Sequence, residues 1–363
     1  MRKSLFTIIA ILSACIISAQ TNMNNNLGDL KEVKKNNAKQ TFTFTSTNGT
    51  AIVSIFTPNV FRIRIAKEFG SDFSYAVVGE IVRGNFDYGE DDNEFFISTD
   101  SLELFINKKP LRFTFKTKDG RIINQDDPDY GTSWIGTEVT TYKTLHPGEK
   151  FLGLGEKTGN LDRRGEAYVN WNTDNPHYDE HSDPLYASIP FYIGIHNGLN
   201  YGIFLDNSYR TTFNFGASND RFSFFSAEDG EMDYYFIWHE KIADIIKSYT
   251  WLTGRMEMPP LWSLGYQQCR WSYTPDSEVI DIATTFRQKK IPADVIYLDI
   301  DYMDAYKIFT WHPKNFPNPD GLINKLKDLN FRTAIIVDPG IKVEEGYPAY
   351  DEGIAYDHFI KYP

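Results

Sequence analysis

Cysteine is almost absent: the 363 residues contain two, Cys15 and Cys269. Cys15 lies in a leading stretch expected to be removed, so no intrachain disulfide is available and stability has to come from packing. No cysteine-based metal site can form either. Basic charge is also short, with 37 Lys and Arg against 49 Asp and Glu, a net charge of −12. Such a field repels phosphate backbones and anionic lipid, which argues against a nucleic-acid partner and for a neutral substrate or a protein. Phosphate loops are missing as well. In "GLGEKTGNLDRRG", Gly153, Gly155 and Gly159 fit neither the dinucleotide spacing nor the GK[ST] ending, and glycines that bend a sheet or loop are the better account. Long apolar runs are rare. The one at residues 5–17 is shorter than the ~20 residues of a spanning helix.

That run follows Arg2 and Lys3 and ends in Ser18 and Ala19, the pattern of an export signal over residues 1–19 cleaved near Ala19. "LSAC", residues 12–15, has the form of a lipobox in which Cys15 would carry lipid and tether the protein. Ile16 and Ile17 after it fit ordinary cleavage better. Residues 20–40 are polar and Asn-rich, the composition of a flexible leader, with order expected from Thr41.

Over residues 41–238 the pattern is β. Phe61, Ile63 and Ile65 alternate with Arg62 and Arg64, and Leu111, Phe113 and Phe115 alternate with polar residues before an Asp119-Gly120 turn. Alternation predicts one buried and one wet face, and many such runs between turn residues predict a β-sandwich. In "HEKIADIIKSYTWLTG" the period changes. Ile242, Ile245, Ile246, Tyr249 and Leu252 recur at helical spacing, so residues 239–258 read as a helical linker that Gly254 stops before Pro259 and Pro260.

From residue 259 to 363 strand and helix alternate: "LWSLGYQQCR" strand, "DSEVIDIATTFRQKK" helix, "ADVIYLDID" strand, "NPDGLINKLKDL" helix, "FRTAIIVDPG" strand. This is parallel β/α architecture. With about 105 residues after Met258, it amounts to the first three or so units of an incomplete (β/α)8 TIM barrel, which usually needs ~250 residues.

The strand ends carry the chemistry. On "DVIYLDID" parity groups Val295, Tyr297, Asp299 and Asp301 on one face and Ile296, Leu298 and Ile300 on the other. The apolar face should meet helices, which leaves both carboxylates at the rim where a barrel opens. There they either receive substrate hydroxyls or brace neighbouring loops. The first strand ends in Arg270 and Trp271 and the third in Ile336, Val337 and Asp338. Three consecutive rims of this kind favour a sugar ring, whose C–H face lies on indole while its hydroxyls donate to carboxylates. His177 and His181, with Asp179 and Glu180 between them, have metal-like spacing, but Asn175-Pro176 predicts a loop and no third ligand is evident. No metal or cofactor is expected.

The motifs "GLGEKTGNLDRRG", "YVNWNTD", "PLYASIPFYIGI", "YGIFLDNSYRT", "MPPLWSLGYQQCRWSY", "YLDIDYMDAYKIFTW" and "IIVDPGIK", in this order, resemble glycoside hydrolase family 31, best known for α-glucosidases. The resemblance covers about residues 40–363. It implies a β-sandwich, then a (β/α)8 barrel, and a retaining mechanism with one Asp as nucleophile and another as acid/base. By the same resemblance Asp299 would hold hydroxyls of the sugar at the cleavage point. Ile336 and Asp338 would line that pocket, Trp271 would form its wall, and Asp174 would reach in from a sandwich loop. Asp301 and Arg270 would support it. Neither expected catalytic motif, a "W-x-D-M-N-E"-like segment or the acid Asp beyond it, occurs before Pro363. The expectation is therefore an exported α-glycosidase acting on terminal α-linked glucose of oligosaccharides, of which this chain is a fragment inactive alone. A non-catalytic carbohydrate-binding protein and an α-xylosidase are the alternatives.

Overall fold

The structure, a computed structural model, describes residues 25–361. The export signal and Cys15 lie outside the described residues. The chain divides into two compact units at Arg255/Met256.

The first unit is a β-sandwich. One antiparallel sheet has eight strands in the order Leu30–Asn36, Thr41–Ser46, Thr50–Thr57, Val60–Ala66, Met232–Trp238, Leu199–Leu205, Ser188–His196 and Lys150–Gly155. Two five-stranded sheets complete the unit. One is a meander from Phe86–Glu90 to Ile122–Gln125, and the other is ordered Thr132–Ile135, Glu138–Thr144, Phe222–Ala227, Thr211–Asn214, Ala167–Asn170. Inward aromatic side chains from all three fuse into one core. Phe95 of the meander meets Phe42 and Phe44 edge-on, and Phe115 stacks on Phe236 at 3.7 Å. Each fully buried Phe contributes on the order of 1.5–3 kcal/mol relative to exposure.

Three sequence expectations are corrected here. Order begins before Thr41: Leu27 is 1% exposed in the core, and Leu30–Asn36 pairs with Thr41–Ser46. Polar composition hid this strand because it lies at the edge of the sheet with most of its side chains in water. The Arg face of Val60–Ala66 is not wet. Arg62 makes a bidentate pair with Asp233 at 2.6 and 2.9 Å, and Arg64 Nε donates to Glu231 at 2.9 Å. These acids arrive from and beside the neighbouring strand Met232–Trp238, so burial is compensated by charge pairing. The helix Ile242–Thr253 is less a linker than a cover. Ile245 and Leu252 pack with Phe204, Tyr235 and Ile237, and Tyr249 stacks on Phe191 at 3.9 Å.

The glycine motif bends a sheet edge, as expected. The register between Lys150–Gly155 and Ser188–His196 slips between Gly153 and Gly155. At Gly155, φ is 78° and a Cβ would stand 2.4 Å from the Ala187 carbonyl, so a side chain is excluded there.

The second unit holds three parallel strands, Gln267–Gln268, Val295–Leu298 and Arg332–Ile335. Helices Asp276–Gln288 and Pro319–Asp328 connect them, and Pro348–Ala355 follows. The helix Pro319–Asp328 shows why the sequence folds this way. Asn318 Oδ1 caps Gly321 N–H at 2.9 Å, Pro319 opens it, Asp320 sits in its first turn, and Lys325 and Lys327 sit in its last. Ile296 and Leu298 pack on Val279 and Ala283 of one helix and Leu322 and Leu326 of the other. The first strand is far shorter than expected: Leu261–Leu264 is a 3-10 turn after Pro260, and only Gln267 and Gln268 pair. The architecture is thus a β-sandwich followed by an incomplete set of barrel units. Among the described residues, no helix is long and apolar enough to cross a membrane.

Candidate functional site

In the barrel unit, the register sets Leu298 against Ile335, and Ile336 N–H donates to the Leu298 carbonyl at 3.0 Å. Asp299 and Ile336 therefore leave adjacent strands side by side. Behind them, Tyr297 donates to Gln267 Oε1 at 2.7 Å, which joins the first two strands on the face away from the helices.

The strand ends at Leu298, three residues short of the Asp301 that the parity reading requires, because the chain turns there into a 3-10 segment, Ile300–Tyr302. Asp299 is half-buried, and its Oδ1 accepts from Ile300 N–H at 2.7 Å. One carboxylate oxygen caps the turn and the other stays available to a ligand. Asp301 does not continue the strand face. It accepts from Trp271 Nε1–H at 3.1 Å and from the Tyr306 hydroxyl at 3.4 Å. The indole is thereby fixed by one edge while 73% of the side chain remains exposed, the arrangement of a stacking platform.

Just past the third strand, Ile336 is half-buried and its carbonyl accepts from Tyr302 Oη at 2.9 Å. Asp338 is exposed and takes a left-handed φ of 45°. Burial, and then the charge of Asp338, push the Tyr302 phenol above its ordinary range. Arg270 is exposed beside Trp271. Trp271, Asp299, Asp301, Ile336 and Asp338 thus share one rim, open to solvent. Sequence reading missed Tyr302, which ties the second strand's turn to the third strand's end. Its place directly after the acidic pair in "DIDYM" was the available signal.

Asp174 belongs to the sandwich unit, on the exposed loop after Ala167–Asn170. Partial burial, and then Asp174, raise the phenol of Tyr186 above its ordinary range. The base of the loop is clamped. Lys157 Nζ reaches Asp183 at 2.7 Å and the Val169 carbonyl at 2.6 Å, while Asp183 accepts from Val169 N–H. We expect Lys157→Met to make cleavage within residues 171–187 several-fold faster in limited proteolysis, since loop opening sets susceptibility; equal rates would show that the clamp holds nothing. His177 and His181 lie on this loop, exposed, with Asp179 Oδ1 engaged by His181 N–H at 2.9 Å and the Ser182 hydroxyl at 3.0 Å. Among the described residues no group of three or more His, Cys, Asp or Glu side chains converges as metal ligands would.

A β-sandwich followed by parallel β/α units does not by itself fix a function, but an indole and carboxylates at one set of strand ends suit a sugar ring. The chain belongs to glycoside hydrolase family 31: residues 50–214 match the family's N-terminal galactose mutarotase-like domain and residues 256–363 its TIM-barrel domain. It is 40% identical over 326 residues to alpha-glucosidase 2 of Bacillus thermoamyloliquefaciens, a match covering 88% of this chain and 41% of the relative. Identity to an alpha-glucosidase of Saccharolobus solfataricus is 36% over 219 residues, 60% of this chain and 32% of that one. A Flavobacterium johnsoniae family 31 dextranase, solved with isomaltotriose, superposes with a TM-score of 0.85 at 34% identity, covering 92% of this chain and 41% of the dextranase. The chain therefore spans about a third to two fifths of the length of these relatives.

Proposed function

We propose that this chain forms part of an exported retaining α-glycosidase that hydrolyses terminal, non-reducing α-linked glucose from oligosaccharides. The observation that carries this reading is the common rim on which neighbouring strands set Trp271, Asp299 and Asp338. Trp271 offers a ring face held by Asp301. Asp299 offers an acceptor oxygen whose partner atom is already committed to Ile300. Ile336 and Asp338 close the next position along the rim. Asp174 is assigned to hydroxyl recognition from the sandwich loop, and Arg270 to support of the wall. These groups bind and orient; none of residues 25–361 is assigned as nucleophile or acid/base. In this reading, those two carboxylates belong to barrel strands that these residues do not supply. The likeness to alpha-glucosidases and to a dextranase solved with isomaltotriose supports α-linked glucose as the sugar.

The test is hydrolysis by the full-length protein of nitrophenyl α-glucoside and nitrophenyl α-xyloside. The glucoside should be turned over with the higher kcat/KM. Asp299→Asn should lower kcat/KM by about ten- to a hundredfold, the worth of a charged hydrogen bond to a sugar hydroxyl. A folded full-length protein inert on both substrates would end the reading, and preference for the xyloside would transfer it to α-xylosides. Export rests on the charged, apolar and small-residue pattern of residues 1–19. A mature N-terminus near Gln20 in the exported fraction is expected, and an intact Met1 retained in the cell would refute it.

A further inference from the structure

The sandwich unit contains a cavity of about 380 Å³ lined by its own residues, Asn170, Trp171, Asn172, Ser188, Pro190, Asn207, Ser208, Tyr209 and Thr211. Its walls combine two kinds of group. Trp171 and Tyr209 are large aromatic side chains left about half exposed. Asn170 is the opposite case, 5% exposed, yet neither Oδ1 nor Nδ2 of its amide has a hydrogen-bond partner, and the buried hydroxyl of Ser188 has none. A buried amide without partners is a standing penalty, and folded proteins rarely leave one unless a ligand or water completes it.

The other two amides are engaged within the protein, Asn172 through its oxygen and Asn207 through both atoms. Asn172 Oδ1 accepts from Ser188 N–H at 2.8 Å. Asn207 Nδ2 donates to the carbonyls of Asp229 and Glu231, and Asn207 Oδ1 accepts from Tyr209 N–H. These bonds stiffen the walls, and Asn170 and Ser188 are the lining residues whose buried side-chain polar atoms have no partner. An amide that both donates and accepts, like a hydroxyl, matches the vicinal hydroxyls of a sugar, each of which also does both. The aromatic walls suit the C–H faces of the same ring. No lining residue is charged, so the cavity offers no counter-charge to a phosphate or carboxylate ligand. The volume lies within the range of small-molecule sites.

We propose that this cavity is a second glycosyl-binding site, built wholly from the sandwich, that holds one neutral pyranose unit of an α-glucan. Its lining comes from the sandwich unit alone; only the identity of the sugar rests on the α-glucoside reading above. A substrate chain would be gripped by it without being cut there.

Isothermal titration of the full chain with isomaltotriose tests this, using Asp299→Asn to weaken the barrel rim. The Asp299→Asn chain should retain saturable binding. Adding Tyr209→Ala or Trp171→Ala should weaken that binding at least tenfold, while the circular dichroism melt stays within a few degrees because both side chains are exposed. In the full-length protein, Tyr209→Ala alone should leave nitrophenyl α-glucoside hydrolysis unchanged. Loss of all binding in Asp299→Asn, or residual binding indifferent to both aromatic substitutions, would overturn the second site and leave the glycosidase reading intact. Binding that depends on Tyr209 in a full-length protein that hydrolyses nothing would do the reverse.

Discussion

Replacing Asp126 by Ala should destabilise the sandwich by about 3–5 kcal/mol, because it strands a buried ammonium. Lys143 is 1% exposed. Its Nζ lies 2.7 Å from Asp126 Oδ1 and 3.2 Å from the Tyr234 hydroxyl, above whose ring it also sits. The second carboxylate oxygen accepts from Phe113 N–H at 2.9 Å. These contacts join all three sheets: Phe113 comes from the meander, which Asp126 follows, Lys143 from the second five-stranded sheet and Tyr234 from the large one. Asp126→Asn keeps an acceptor for Phe113 N–H and removes only the charge, so it should cost less than Asp126→Ala but still more than 1 kcal/mol. The double variant Asp126→Asn, Lys143→Met should recover most of the loss, since no uncompensated charge remains. Urea unfolding followed by tryptophan fluorescence gives the four corners of the cycle. Additive single losses would show that the pair does not act as a unit.

The pair also shows what a sequence does and does not reveal. Alternation at Phe61, Ile63 and Ile65 was legible because side-chain parity is local, and those residues are buried as expected. The intervening Arg62 reads as solvated, and only the fold brings Asp233 to it, 171 residues away. The barrel unit repeats the point. Ile296 and Leu298 were assignable to the helix-facing side from parity alone. Asp301 was placed on the same face as Asp299 because the turn after Leu298 leaves no local mark in a run as apolar as "VIYLDI". The resemblance supplied the roles; the backbone supplied the bond from Trp271 to Asp301, which no spacing rule contains. The Asn170 cavity had no signature at all, since its walls come from the residues around 170, 188 and 208.

The second large effect concerns pH. Glu149 is 1% exposed, its carboxylate accepting from Tyr201 Oη at 2.7 Å and His146 N–H at 2.9 Å. Burial outweighs these bonds and the nearby Arg164, and pushes its pKa from 4.5 up to about 7. A raised carboxyl favours the fold while protonated. Its contribution is complete below 4.5, declines as pH rises and is gone above about 7, a loss of about 3 kcal/mol. His146 acts in the other direction. Burial, and then the stacked His196 ring 4.0 Å away, hold its pKa down at about 4. A depressed histidine supports the fold while neutral, so stability falls as pH drops from 6.5 towards 4. Glu149→Gln reproduces the protonated acid: its carbonyl accepts from His146 N–H and its amide donates to Tyr201 Oη. Unfolding at pH 8 should therefore show the variant about 2–3 kcal/mol more stable than the parent, with the difference shrinking to within 1 kcal/mol at pH 4.5. The acid limb set by His146 should survive in the variant. Parallel stability curves across that range would mean that Glu149 ionises in the fold as it does in water.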